Sequence, residues 1–82
     1  MQLSVTIQNF AFSPNPITVA SGSTVTWTNR DGAPHTVTAD DGSWESSTLR
    51  QGGTYSHVFT SPGRYTYYCA MHPRMKGTVV VT

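Results

Sequence analysis

Cys69, His72 and Met75 stand at intervals of three in the segment Cys69-Ala70-Met71-His72-Pro73-Arg74-Met75 and offer a thiolate, an imidazole and a thioether. Soft and borderline donors of this kind suit copper, which must be held as both Cu(I) and Cu(II), and make a poor set for an oxygen-seeking cation. Cys69 is the only cysteine, so an internal disulfide is impossible. Its thiol is left as a metal ligand, a reactive group or a buried hydrophobe. A loop of this length folds over a metal with Cys69, His72 and Met75 facing inward, and Gly77 frees the chain to turn into a last strand. The fourth donor is expected from His35, which follows Pro34 directly after a loop. In an antiparallel sandwich the strand ending near Asn29 and the strand ending at Cys69 meet at one pole, bringing His35 over the metal. His57 sits mid-strand beside Tyr55 and Phe59 and reads as an ordinary half-buried strand residue.

The elements that must position these residues read as all-β. Alternation of β-branched or aromatic residues with polar ones recurs throughout, and helical periodicity is absent. Leu3, Val5 and Ile7 share one parity, and Phe10 and Phe12 break it, which predicts a bulge before the turn at Ser13-Pro14-Asn15-Pro16. Ile17 to Val19 and the stretch to Asn29 follow as strands, with Val25 and Trp27 on one face and Thr24, Thr26 and Thr28 on the other. His35 to Ala39 is expected as a further strand. Thr54 to Thr60 and Arg64 to Cys69 flank Ser61-Pro62-Gly63, a connection of hairpin length that predicts antiparallel neighbours. Gly77 to Thr82 closes the chain. Short strands at this spacing favour a sandwich or barrel, and Trp44 falls in a loop where it caps the sandwich or lies exposed.

With 82 residues the chain is expected to form one domain, residues 1–82. Five basic against four acidic residues give no broad cationic surface, which disfavours nucleic acid as a partner. The longest apolar runs fall far short of the ~20 residues of a membrane helix, and no charged start followed by an apolar stretch marks a secretion signal, as expected of a mature protein or an excised domain.

In combination these pieces resemble the cupredoxins, the small blue copper proteins. Ile7-Gln8-Asn9-Phe10-Ala11-Phe12, Ile17-Thr18-Val19, Gly22 to Asn29, Pro34-His35, Pro62-Gly63-Arg64-Tyr65 and the Cys69-x2-His72-x2-Met75 loop all fall in family order, and the loop is most similar to the amicyanin and plastocyanin type. The resemblance implies a Greek-key β-sandwich and one copper ion, with His35, Cys69 and His72 as equatorial ligands and Met75 as a weak axial one. Met71 is a rival thioether. The implied function is a type 1 copper protein carrying single electrons, not an enzyme, with a copper delivery or storage module as the alternative. It further implies redox partner proteins docking at an apolar patch around His72, a monomer, and a periplasmic or other extracytoplasmic location. For that patch Met71, Pro73 and Ala33-Pro34 are candidates, rimmed by Arg30, Arg74 and Lys76. An exposed Tyr68 would mark a second electron path in plastocyanin-like members.

Two departures carry expectations of their own. Family members often place asparagine after the first histidine and threonine or serine after the cysteine, tying two loops together, whereas this chain has Thr36 and Ala70. Ala70 has no side chain to contribute, which predicts a looser ligand loop. Met71 stands where relatives commonly have proline, and its backbone N–H is expected to donate to the Cys69 sulfur.

Overall fold

The computed structural model describes residues 2–82. Eight strands, β1 (Gln2–Gln8), β2 (Ala11–Ser13), β3 (Ile17–Val19), β4 (Ser23–Asn29), β5 (Thr38–Ala39), β6 (Thr54–Phe59), β7 (Gly63–Cys69) and β8 (His72–Val81), account for all its regular structure. They form two four-stranded sheets, in the orders β2-β1-β4-β6 and β3-β8-β7-β5. The pairs β1–β4 and β3–β8 are parallel, and the other pairs are antiparallel.

The alternation seen in the sequence becomes the two-sidedness of the sheets. Val5 and Ile7 of β1 and Val25 and Trp27 of β4 face inward, against Tyr67, Val79 and Val81 of the second sheet. The outward Thr24, Thr26 and Thr28 are half-buried. Trp27 sits at the middle of the core, its ring 5.4 Å from Tyr67 and 5.8 Å from Trp44. Trp44 is a core residue and not an exposed one.

Four expectations need correction. The break in parity at Phe10 is no bulge: Gln8 pairs with Ala11, so Asn9 and Phe10 form a two-residue hairpin turn with φ of 55° and 56°. The strand expected from His35 shrinks to Thr38–Ala39, preceded by an isolated bridge between His35 and Leu49. β6 and β7 do not pair: β6 joins β4 and β7 lies between β8 and β5, so Ser61-Pro62-Gly63 crosses from one sheet to the other. Alternation fixes which side of a strand is buried, and both arrangements satisfy it equally well. Finally, β8 begins at His72, so the ligand segment is mostly strand; Cys69 pairs with His72 across a tight Ala70-Met71 turn.

Candidate metal centre

Three loops meet at one pole of the sandwich. The β7–β8 turn brings Cys69 and His72, the segment after β4 brings His35, and the β1–β2 turn brings Phe10. His35 Nδ1 lies 3.6 Å and His72 Nδ1 3.7 Å from Cys69 Sγ, and one ligand atom from each of the three residues lies within 4.8 Å of the others. His35 and Cys69 are wholly buried and His72 is half-buried. A point equidistant from the three donors lies roughly 2.0–2.4 Å from each, close to the reach of metal–imidazole and metal–thiolate bonds. The donor set and its spacing therefore fit a copper ion. Met75 is also buried and lines the same groove as His72, whereas Met71 is exposed. Of the sequence candidates, the structure brings His35, Cys69 and His72 within bonding reach of one point and leaves His57 apart, stacked on Trp44 at 5.1 Å.

The two departures resolve differently from the expectation. Ala70 contributes its backbone: its N–H donates to Thr36 Oγ1 at 2.8 Å, and that oxygen also shares a 3.1 Å hydrogen bond with Thr38 Oγ1. The loop is tied down by a hydroxyl from the first loop and an amide from the second. The N–H that reaches the Cys69 sulfur belongs to Thr36, at 3.4 Å, and not to Met71. Hydrogen bonds to a thiolate disperse its charge and orient it, which tunes any metal it holds.

Sequence reading missed Asp31, whose carboxylate makes three hydrogen bonds at this pole. One carboxylate oxygen accepts from the Asn9 N–H at 2.8 Å, and the other accepts from the Phe10 N–H at 2.9 Å and lies 2.8 Å from His35 Nε2. With Nδ1 facing Cys69 and bound to a metal there, the ring proton would belong on Nε2 and the imidazole would donate to Asp31. The Phe10 N–H above all, with the Asn9 N–H and the His35 ring, holds the Asp31 carboxyl below its ordinary range. Asp31 is itself placed by Asn29, whose Oδ1 accepts the Asp31 N–H at 2.9 Å while its Nδ2 donates to the carbonyls of Ala33 and Leu49. The only sequence signal was a carboxylate four residues before the candidate histidine.

Phe10 was also missed. Its ring stands edge-on to His35 at 5.3 Å and to His72 at 5.0 Å. A bulky residue with φ of 56° is an outlier, at a cost of about 1–2 kcal/mol. Phe10, Met71, His72, Pro73, Arg74 and Met75 line one apolar groove at the pole. Pro34, expected in that patch, lines a separate pocket, as does Arg30.

The model of copper binding proteins of the plastocyanin/azurin family matches residues 1–82. Amicyanin-alpha of Methylorubrum extorquens is 42% identical over 82 residues, covering 94% of this chain and 69% of that protein. Plastocyanin of Scenedesmus fuscus is 35% identical over 83 residues, covering 85% of each. Among solved structures, the purple cupredoxin of Nitrosopumilus maritimus superposes with a TM-score of 0.92 at 33% identity, covering 98% of this chain and 99% of that one. With the sandwich and the cysteine–histidine cluster already in place, these matches show that the chain belongs to the plastocyanin/azurin family of copper-binding proteins, the cupredoxins.

Proposed function

We propose that His35, Cys69, His72 and Met75 hold one copper ion and that the protein carries single electrons between redox partners. The observation that carries this reading is the buried Cys69 sulfur flanked at 3.6 and 3.7 Å by two imidazole nitrogens. Bound there, copper supplies a one-electron Cu(I)/Cu(II) couple. The protein's part is to keep the donors still. Thr36 anchors the ligand turn and donates to the thiolate, Asp31 fixes the His35 ring, and the sandwich closes water out from below. A site that moves little between oxidation states suits electron transfer better than copper delivery, which needs the metal to leave.

His72 is the one half-exposed member of the trio, so electrons pass most directly through its ring edge. Partners dock on the groove formed with Phe10, Met71 and Pro73, with Arg74 at its rim to steer an acidic surface. The likeness to amicyanin and plastocyanin favours a carrier over an enzyme. We place the protein outside the cytoplasm, in the periplasm, in keeping with the amicyanin relatives.

The test is the thiolate. Copper-loaded protein should show an intense visible charge-transfer band, and Cys69→Ser should bleach it. Because zinc accepts the same donors without colour, metal content is measured first. Intense absorption retained in a Cys69→Ser protein that contains Cu(II) would refute the assignment.

A further inference from the structure

We propose that Phe10 is a positioning residue for the two metal-facing imidazoles, clamped over them by the Asp31 carboxylate, and that it slows the loss of copper by holding the His72 ring in place. The inference rests on the reading of this pole as a copper site. Three observations converge on it. Phe10 occupies a turn position with φ of 56°, where glycine or asparagine is at ease and phenylalanine is strained. The residue is 54% exposed, so core packing does not account for an apolar side chain there. Yet the ring is edge-on to both His35 and His72, and both carboxylate oxygens of Asp31 accept N–H groups of the turn that carries it. Local strain and exposure are both unfavourable, and residues that break local rules while held from outside mark function.

The geometry explains what the ring does. His35 is buried and anchored at Nε2 by Asp31. His72 begins a strand beside a two-residue turn and is half-buried, so its ring has solvent on one side. Phe10 and the His35 ring, 5.1 Å away, are the aromatic surfaces against it. Edge-to-face contacts are directional, so they hold an orientation as well as burying area. One carboxylate thereby fixes the first imidazole directly and the second through Phe10.

The experiment follows Cu(I) loss from the loaded protein to excess bathocuproine disulfonate. Phe10→Gly should lose Cu(I) about tenfold faster, the effect of losing about one favourable ring contact. Its metal-free form should melt no lower than wild type, because glycine accepts the positive φ without strain. In an Asp31→Ala background, where the clamp is gone, the same Phe10→Gly change should matter less than about threefold; Asp31→Asn serves if the alanine variant does not fold. Unchanged Cu(I) loss, a metal-free Phe10→Gly protein that melts well below wild type, or a full tenfold effect without Asp31 each overturns the proposal. Nuclear Overhauser contacts between the Phe10 and His72 rings in metal-free protein test the placement independently of copper. Their presence, and their loss in Asp31→Ala, supports the clamp, and their absence in wild type overturns it. A wild type that shows those contacts and binds no copper would sink the copper reading and leave the Asp31–Phe10 clamp standing.

Discussion

Thr36→Val removes one oxygen from the pole and leaves the shape of the side chain nearly unchanged. Two groups lose a partner: the Ala70 N–H, 2.8 Å from Thr36 Oγ1, and the Thr38 hydroxyl, 3.1 Å from it. Thr38 is buried, so its hydroxyl carries most of the desolvation cost, in the range of about 1–3 kcal/mol for an orphaned polar group. Ala70 is exposed and water can replace part of what its amide loses, which puts its share nearer ~0.5–1 kcal/mol. The sum is about 2 kcal/mol, or a fall in Tm of roughly 8–16 °C for a chain of this size. Calorimetry or circular dichroism of the metal-free protein measures this without a contribution from metal binding. Thr36→Ser, which keeps the hydroxyl, should recover most of the loss. The N–H···S bond to Cys69 comes from the Thr36 backbone and should survive, so the visible band of the copper-loaded valine variant should stay close to that of wild type. A valine variant melting within about 2 °C of wild type would show that the hydroxyl does not tie the two loops together.

Two further outcomes test the surroundings of the site. A Cβ on Gly77 would overlap Tyr67 Cζ and Oη, and Tyr67 is wholly buried, so Gly77→Ala should cost about 3 kcal/mol in urea unfolding; a loss under about 0.5 kcal/mol would show that the ring yields. Partial burial holds the His57 pKa below its ordinary 6.5, so the unfolded chain binds the proton first: this residue costs nothing above that value and removes stability as the pH falls from it to the folded value, below which the penalty is constant. His57→Gln should therefore melt with a shallower acid dependence than wild type between neutral pH and pH ~5, and parallel curves would refute the assignment.

The parts of the molecule legible in the sequence are those whose cause is local. Val5 and Ile7, or Val25 and Trp27, declare a buried face because side chains alternate along any strand, whatever it pairs with. Cys69, His72 and Met75 declare a soft-metal site because ligand chemistry depends on residue type, and the turn that joins them is short. Pairing was less legible. Ser61-Pro62-Gly63 serves a hairpin and a crossing between sheets equally well, and the choice is made by the strands that claim β6 and β7: β4, far back in the chain, and β8, which follows β7 directly.

The residues that hold the ligands were least legible of all, for a related reason. Asp31 meets the Asn9 amide across 22 residues, and Thr36 meets the Ala70 amide across 34. In both contacts one partner is a backbone N–H, which every residue but proline possesses and no sequence pattern advertises. A threonine and an alanine thus make the tie that two polar side chains often make in the family and that was expected to be missing here, because an amide donates as well as a side chain once the fold has brought it there. This division has a chemical basis. The metal selects its donors by kind, so they must be written as particular residues, whereas rigidity asks only that some acceptor meet some N–H. Many sequences therefore supply the second with the first unchanged, and the properties that distinguish one such site from another, its potential and its hold on the metal, are set where sequence is least specific.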